Sequence, residues 1–165
     1  MNKLRIVSNS SPLIALAQVH KFWLLKEIFS QIYIPEAVYR EVVVAGEGDP
    51  GCKETKDGIK DGWIRKENVK NSVAVIAFMS ILSQGEAETI ILAKETDADY
   101  ILIDEATGRE EAELMEVEVI GTLGILNLAL NKKLIDKKKS IVDELKEKGF
   151  RISKSLYHKV IEEDG

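Results

Sequence analysis

Short apolar runs, each stopped by a polar residue or a proline, alternate with helical stretches along most of this chain, and that alternation constrains the fold more than any other feature. Leu4-Arg5-Ile6-Val7-Ser8 closes on Asn9-Ser10-Ser11-Pro12, the pattern of a buried strand turning into a helix, where Pro12 suits a first turn that has no use for its missing N–H. Ile32-Tyr33-Ile34 reads as a second strand, and Pro35 opens a helix from Glu36 to Val44. Tyr100-Ile101-Leu102-Ile103 has the character of a central parallel strand and ends on Asp104. Val117 to Ile120 forms another, running into Gly121-Thr122-Leu123-Gly124 and a further helix. Helices fill the intervals at Phe22 to Ile28, Glu86 to Thr96 and Thr107 to Met115; Val73 to Leu82 is apolar enough to be a buried helix, and Trp63-Ile64 a minor strand. This order predicts a parallel sheet of four or five strands with right-handed crossovers and helices on both faces, with Val7 and Ile103 on neighbouring strands.

The chain of 165 residues is read as one domain, 1–165, with an inserted exposed loop at about 45–62, holding at most a short polar helix, and a C-terminal helical extension at about 132–165. The extension divides into helices around Ile141 to Lys148 and Ser153 to Ile161. One cysteine, Cys52, excludes an intrachain disulfide framework, and with His20 and His158 it is too little for a finger-type zinc site; it reads as a plain loop thiol, and both histidines as structural or surface residues. No apolar run is long enough for a membrane span, and MNKLRIVSNSSP lacks a signal-peptide core, so the expectation is a cytoplasmic protein that is neither secreted nor anchored. With 28 acidic against 23 basic side chains the formal net charge is −5, which excludes a generic basic nucleic-acid coat. Lys132, Lys133, Lys137, Lys138 and Lys139 are the obvious local cluster, and they read either as a hold on a polyanion or as a solvated helix end.

In an open α/β sheet, ligands bind beyond the carboxyl ends of the strands, where Asn9 and Asp104 both stand. Acidic oxygens gathered at such an edge suit Mg²⁺ or Mn²⁺ and, through them, phosphodiester cleavage. Glu41 lies on the apolar side of its helix, and Gly85-Glu86-Ala87-Glu88 supplies a third carboxylate. Two residues apart, Glu86 and Glu88 point about 200° from each other, and periodicity alone does not choose between them. Asn9 also suits a helix cap, as do Ser10 and Ser11. Arg109, a turn after Asp104 and Glu105, is either a partner for the acids or a contact to a phosphate. Gly121 to Gly124 could offer backbone N–H groups to a phosphate but lacks the full dinucleotide fingerprint. A receiver-type signalling module would need an acidic pair at the end of the first strand, where this chain has Ser8-Asn9.

Ser8 to Ile14, Ile34-Pro35 with Val38 and Glu41, Gly85 to Glu88 through Ala93, Leu102-Ile103-Asp104 with Arg109, and Gly121 to Gly124 occur in one collinear set that resembles the PIN domain, and more narrowly its prokaryotic branch of predicted nucleic-acid-binding proteins. The resemblance implies a three-layer, Rossmann-like fold and a Mg²⁺- or Mn²⁺-dependent endoribonuclease acting on single-stranded RNA, often the toxin of a toxin–antitoxin pair and often a homodimer. It places Glu41, Glu86 and Asp104 at the family's acidic positions, Glu86 being preferred to Glu88 by its interval to Asp104. Asn9 completes the catalytic and metal-binding set, and Ser10, Ser11 and Arg109 are the substrate-binding candidates. Asn9 departs from the family's aspartate, leaving three carboxylates where the nucleases have four and weakening divalent binding. The alternative is therefore a weakened domain that binds RNA or a protein partner without cutting.

Overall fold

The computed structural model describes residues 3–164; Met1 and Asn2, where the segment read for a leader begins, lie outside the described residues. Five parallel three-residue strands form one sheet in the order β3-β2-β1-β4-β5. They are β1 (Ile6–Ser8), β2 (Ile32–Ile34), β3 (Ile64–Lys66), β4 (Tyr100–Leu102) and β5 (Glu118–Ile120). Val7 pairs with Ile101 and Ser8 with Leu102, so β1 and β4 are the neighbouring central strands expected from the apolar runs. Their side chains alternate between two cores. Ile6 and Leu102 pack with α1 (Ser10–Gln18), α2 (Trp23–Phe29), α8 (Thr122–Asn131) and α9 (Lys139–Glu147). Val7 and Ile101 face α6 (Gln84–Glu95) and α7 (Ala106–Leu114) on the other side. Two helical layers around one sheet make the three-layer fold that the alternation predicts.

The strand order reverses between β1 and β4: the chain runs outward from β1 through β2 to β3, then returns to lay β4 on the opposite side of β1. At such a switch point the connections leave in opposite directions and open a crevice at the carboxyl edge. Asn9 and Asp104 bound that crevice, and the Asn9 N–H donates to Leu102 O at 2.9 Å, carrying the ladder one residue beyond β1.

Four expectations are corrected. The 45–62 segment is a loop only in its first part: the rest is the ten-residue helix α4 (Cys52–Asp61), longer than the short polar helix expected and set between Gly51 (φ 99°) and Gly62 (φ 89°), whose left-handed conformations start and stop it. Its polar composition hides a buried edge, where Gly58 lies so close to Ile64 that a Cβ would stand 2.4 Å from Ile64 Cδ1. Cys52 is accordingly no loop thiol but a buried first residue of α4, its Sγ 3.4 Å from Val43 O. The minor strand expected at Trp63-Ile64 is present but begins one residue later, as the edge strand β3 paired with β2 from Ile32↔Ile64 to Ile34↔Lys66. The apolar stretch at Val73 is the short helix α5 (Ser72–Phe78), and it is not buried: Val73 is 75% and Ile76 69% exposed, and Val75 alone in the helix turns fully inward.

The chain ends in α9 and α10 (Lys154–Asp164). Here the lysine cluster divides. Lys138, only 1% exposed, pairs with Glu163 of α10 and donates to Asn127 of α8, while the Asp164 carboxylate accepts the Lys138 and Lys139 backbone N–H groups that open α9. It is neither a solvated helix end nor a polyanion contact but a pin that docks α10.

Candidate active site

Asn9 occupies the N-cap position of α1, yet its side chain makes no capping hydrogen bond. Its Nδ2 donates to Glu105 Oε2 at 3.3 Å instead, so the helix-cap reading of Asn9 fails. A Cβ on Gly85 would stand 3.1 Å from Glu41 Oε2 and 3.4 Å from Asn9 Oδ1. The absence of a side chain at Gly85 is what lets these two oxygens, from the π-helical turn Arg40–Ala45 and from the end of β1, approach the start of α6. Ser11 Oγ donates to the same Glu105 oxygen at 3.1 Å, whereas Ser10 Oγ is buried without a partner; neither caps α1 by its side chain.

Asp104, half-buried one residue past Ile103, is held on both oxygens. The Thr122 N–H donates to Oδ1 and the Thr122 hydroxyl to Oδ2, each at 2.7 Å. The opening of α8 is thus taken by the chain's own carboxylate, which corrects the phosphate reading of Gly121 to Gly124. Gly121 must be bare for the same reason as Gly85: a Cβ there would meet Arg109 Nη1 and Asp104 Oδ1, both at 3.1 Å. Burial raises the Asp104 pKa above the ordinary aspartate value, against the Thr122 bonds and the Arg109 charge, which pull it down.

Glu86 and Glu88 separate as helix geometry requires. Glu86 closes a capping box with Ser83, its Oε1 accepting the Ser83 N–H at 2.9 Å, and its Oε2 would lie 3.1 Å from a Cβ on Gly108 at the cleft side. Glu88, 9% exposed, faces away: Oε1 accepts the Ala37 N–H at 3.0 Å, at the start of α3 (Glu36–Tyr39), and Oε2 accepts from Gln84 Nε2 at 2.9 Å.

In the sequence Glu105 is masked by the more conspicuous Asp104 that precedes it. An acid directly after a strand-ending acid was the available signal: extended backbone at Glu105 (φ −66°, ψ 134°) precedes α7 and sends its carboxylate back over the sheet edge. Burial raises its pKa, and the charges of Glu86 and Asp104 raise it further, against the Ser11 hydrogen bond. The acidic set is therefore four carboxylates, Glu41, Glu86, Asp104 and Glu105, with Asn9 between them, and not the three expected.

These five residues line one cleft of about 930 Å³. Lys148 and Arg151 line the same cleft, from the segment after α9. Gly149 (φ 98°) turns that segment in the left-handed region. Arg109 adds its charge beside Asp104 as expected, Lys148 and Arg151 are cations to which no sequence motif points, and His20 and His158 are both exposed away from the cleft. Among the described residues, no three His, Cys, Asp or Glu side chains stand close enough together to hold a metal ion as they are. The donors nevertheless fit a hard divalent cation in kind: carboxylate and amide oxygens with an unpartnered hydroxyl beside them, carrying negative charge that only Arg109, Lys148 and Arg151 offset.

The family model DUF3368, described as a PIN domain, matches residues 5–165. No curated protein matches the sequence.

Proposed function

The chain belongs to the PIN-domain family, whose fold is of the nuclease type, and from that premise we propose that it is a Mg²⁺- or Mn²⁺-dependent endoribonuclease. One observation carries the reading: Glu41, Glu86, Asp104, Glu105 and Asn9 converge from separate elements on a single cleft at the switch point. Glu41, Glu86, Asp104 and Asn9 would hold the metal, with Glu105 beside them. Bound there, the cation would polarise a phosphodiester and lower the pKa of an attacking water. Thr122 fixes the Asp104 carboxylate through both oxygens, so that its orientation does not depend on the ligand. Ser11 and Asn9 hold Glu105 through one oxygen, both donating to Oε2. Lys148, Arg151 and Arg109 bring positive charge to the rim, where a phosphate backbone would otherwise meet only acids.

The second reading rests on Asn9. An amide donating to Glu105 supplies a hydrogen bond where a fourth ligand of full charge would stand, and favours a weakened domain that binds RNA uncut. Incubating wild type, Asn9→Asp and Asp104→Asn with single-stranded RNA and Mn²⁺ separates the two. Cleavage by wild type that is lost in Asp104→Asn supports the enzyme; binding without cleavage, with cleavage gained in Asn9→Asp, supports the weakened domain. Failure of all three proteins to cut or bind RNA overturns both.

The toxin role belongs to the same proposal, with an antitoxin protein as the partner that silences the cleft, and growth arrest on expression as its test. A homodimer belongs to the same proposal, and sedimentation of the chain in solution is its test. A reducing cytoplasm suits the single thiol, and no helix among the described residues is long and apolar enough to cross a membrane.

A further inference from the structure

A second cavity, of about 750 Å³, adjoins the acidic cleft and shares Asp104, Phe150 and Arg151 with it. It runs from the Asp104 edge beside β5 and α8, past Ile120 and Leu123, to Tyr100 and Phe29. Its walls are apolar and its charges are not random. Besides Asp104 at the shared end it carries three cations, Arg109, Lys132 and Arg151, in a chain of net charge −5. Among the described residues none of these three makes an ion pair. At its border stand Leu4 and Leu156, 51% and 46% exposed, which the fold leaves uncovered.

We propose that this groove is a nucleobase subsite, receiving the base of a nucleotide next to the phosphodiester held in the acidic cleft. The inference rests on the nuclease reading for the identity of the polymer but not on catalysis. A nucleotide is the ligand whose two halves match the two chemistries present: a flat, largely apolar base for the aromatic and aliphatic walls, and phosphates for cations at the rim. Phe150, at the junction of the cavities, supplies a stacking face where a strand would pass from one to the other. Entry of a base into a side groove requires it to be unpaired, so the groove takes single-stranded segments of that polymer. The Gly121-Thr122-Leu123-Gly124 segment acquires a role here: Gly121, Leu123 and Gly124 line the groove while Thr122 holds Asp104. A side chain on Gly124 would press on Ile120 Cγ2, 3.0 Å from the Cβ position.

The test titrates the full chain, in EDTA, with the four nucleoside 5′-monophosphates and with ribose 5-phosphate as the base-free probe of equal phosphate count, following methyl resonances by NMR. None of the probes has an internucleotide linkage to cut. At least one nucleotide should bind about tenfold more tightly than the sugar phosphate, the scale of one stacked base, and shift the methyls of Val119, Leu123 and Leu156. Phe150→Ala should abolish that tenfold difference, as should Leu156→Glu, which alters an exposed residue outside the acidic cleft. Equal binding of base-free and base-bearing probes, or shifts confined elsewhere, overturns the subsite. The two readings fail separately: a chain that binds nucleotides in the groove but does not cut RNA with Mn²⁺ keeps the subsite and loses the nuclease, whereas one that cuts RNA without a base-dependent difference loses the subsite alone.

Discussion

Asn9 is buried among acids, and its amide is the donor that makes its neighbourhood tolerable without a cation. Replacing it by aspartate converts the 3.3 Å bond to Glu105 into a contact between carboxylates and adds charge beside Glu41. Asn9→Asp should therefore lower the melting temperature of the metal-free protein, by about 2–4 °C for each kcal/mol lost, and Mn²⁺ should restore it by binding only the folded state. Calorimetry with and without Mn²⁺ checks this; an unchanged metal response would remove Asn9 from the site. Asp104 carries the opposite expectation. Its pKa is raised in the folded chain, so the folded state binds a proton more tightly than the unfolded one. That contribution to stability is present below the ordinary aspartate value of 3.8 and is lost as pH rises through the folded pKa. Asp104→Asn removes the buried charge, and its amide can still accept from the Thr122 N–H. It should raise the metal-free melting temperature at neutral pH and flatten its fall above pH 3.8, while abolishing the Mn²⁺ response. A variant less stable than wild type at neutral pH would contradict the burial argument.

At the scale of elements, α6 does two jobs with two glutamates. Glu88→Ala leaves the Ala37 N–H at the start of α3 without its acceptor and should cost roughly 1–2 kcal/mol, the range of a lost cap, with the metal response intact. Glu86→Gln keeps an oxygen for Ser83 and should leave stability within about 0.5 kcal/mol while weakening Mn²⁺ binding. Urea titrations of both variants, with and without metal, read the two effects; a metal response lost in the Glu88 variant alone would reverse the assignment. The C-terminal helix is tied to the fold by one buried lysine in addition to the Asp164 contacts with the start of α9. Lys138→Met retains the buried stem but strands Glu163 and Asn127, and should destabilise by about 1–3 kcal/mol, less than a fully buried pair because Glu163 is partly exposed. Amide exchange should speed up first in α10; Lys137→Met, at an exposed position, should change nothing.

For the molecule as a whole, one cleft concentrates charge: a net-negative chain gathers Glu41, Glu86, Asp104 and Glu105 there and brings Lys148 and Arg151 to the same cleft. RNA held there should lose affinity with salt, and the slope should fall by about 0.7 for each cation removed that contacts a phosphate. Anisotropy titrations of Lys148→Gln and Arg151→Gln at several salt concentrations test this, and slopes equal to wild type would move the backbone path elsewhere. Both residues lie between α9 and α10, so the extension does more than fill out the fold: the Lys138 pin holds the segment that faces the cleft.

Local pattern determined the parallel sheet, because a strand buried on both faces must be an unbroken apolar run and Ile6-Val7 and Ile101-Leu102-Ile103 are such runs. It also placed Asn9 and Asp104 at strand ends, while Glu41 and Glu86 were set beside them by the resemblance to the PIN domain and not by local pattern. It misjudged segments whose composition and environment disagree: α4 is polar but fixed by left-handed glycines and a buried Gly58, and α5 is apolar but exposed. Tertiary structure alone decided where each polar side chain finds its partner. Nothing local to Asn9 says that it donates to Glu105 instead of capping α1, and nothing local to Lys138 distinguishes it from the exposed lysines at 137 and 139. Only the packing of α10 against α8 and α9 buries it. Nor could spacing bring Glu105 into the site, since its direction is set by the backbone between β4 and α7 and by Ser11 and Asn9, which are remote in sequence. Hydrophobic periodicity is a property of neighbours along the chain and is legible there; the pairing of charges and hydrogen bonds belongs to neighbours in space, which the strand order creates.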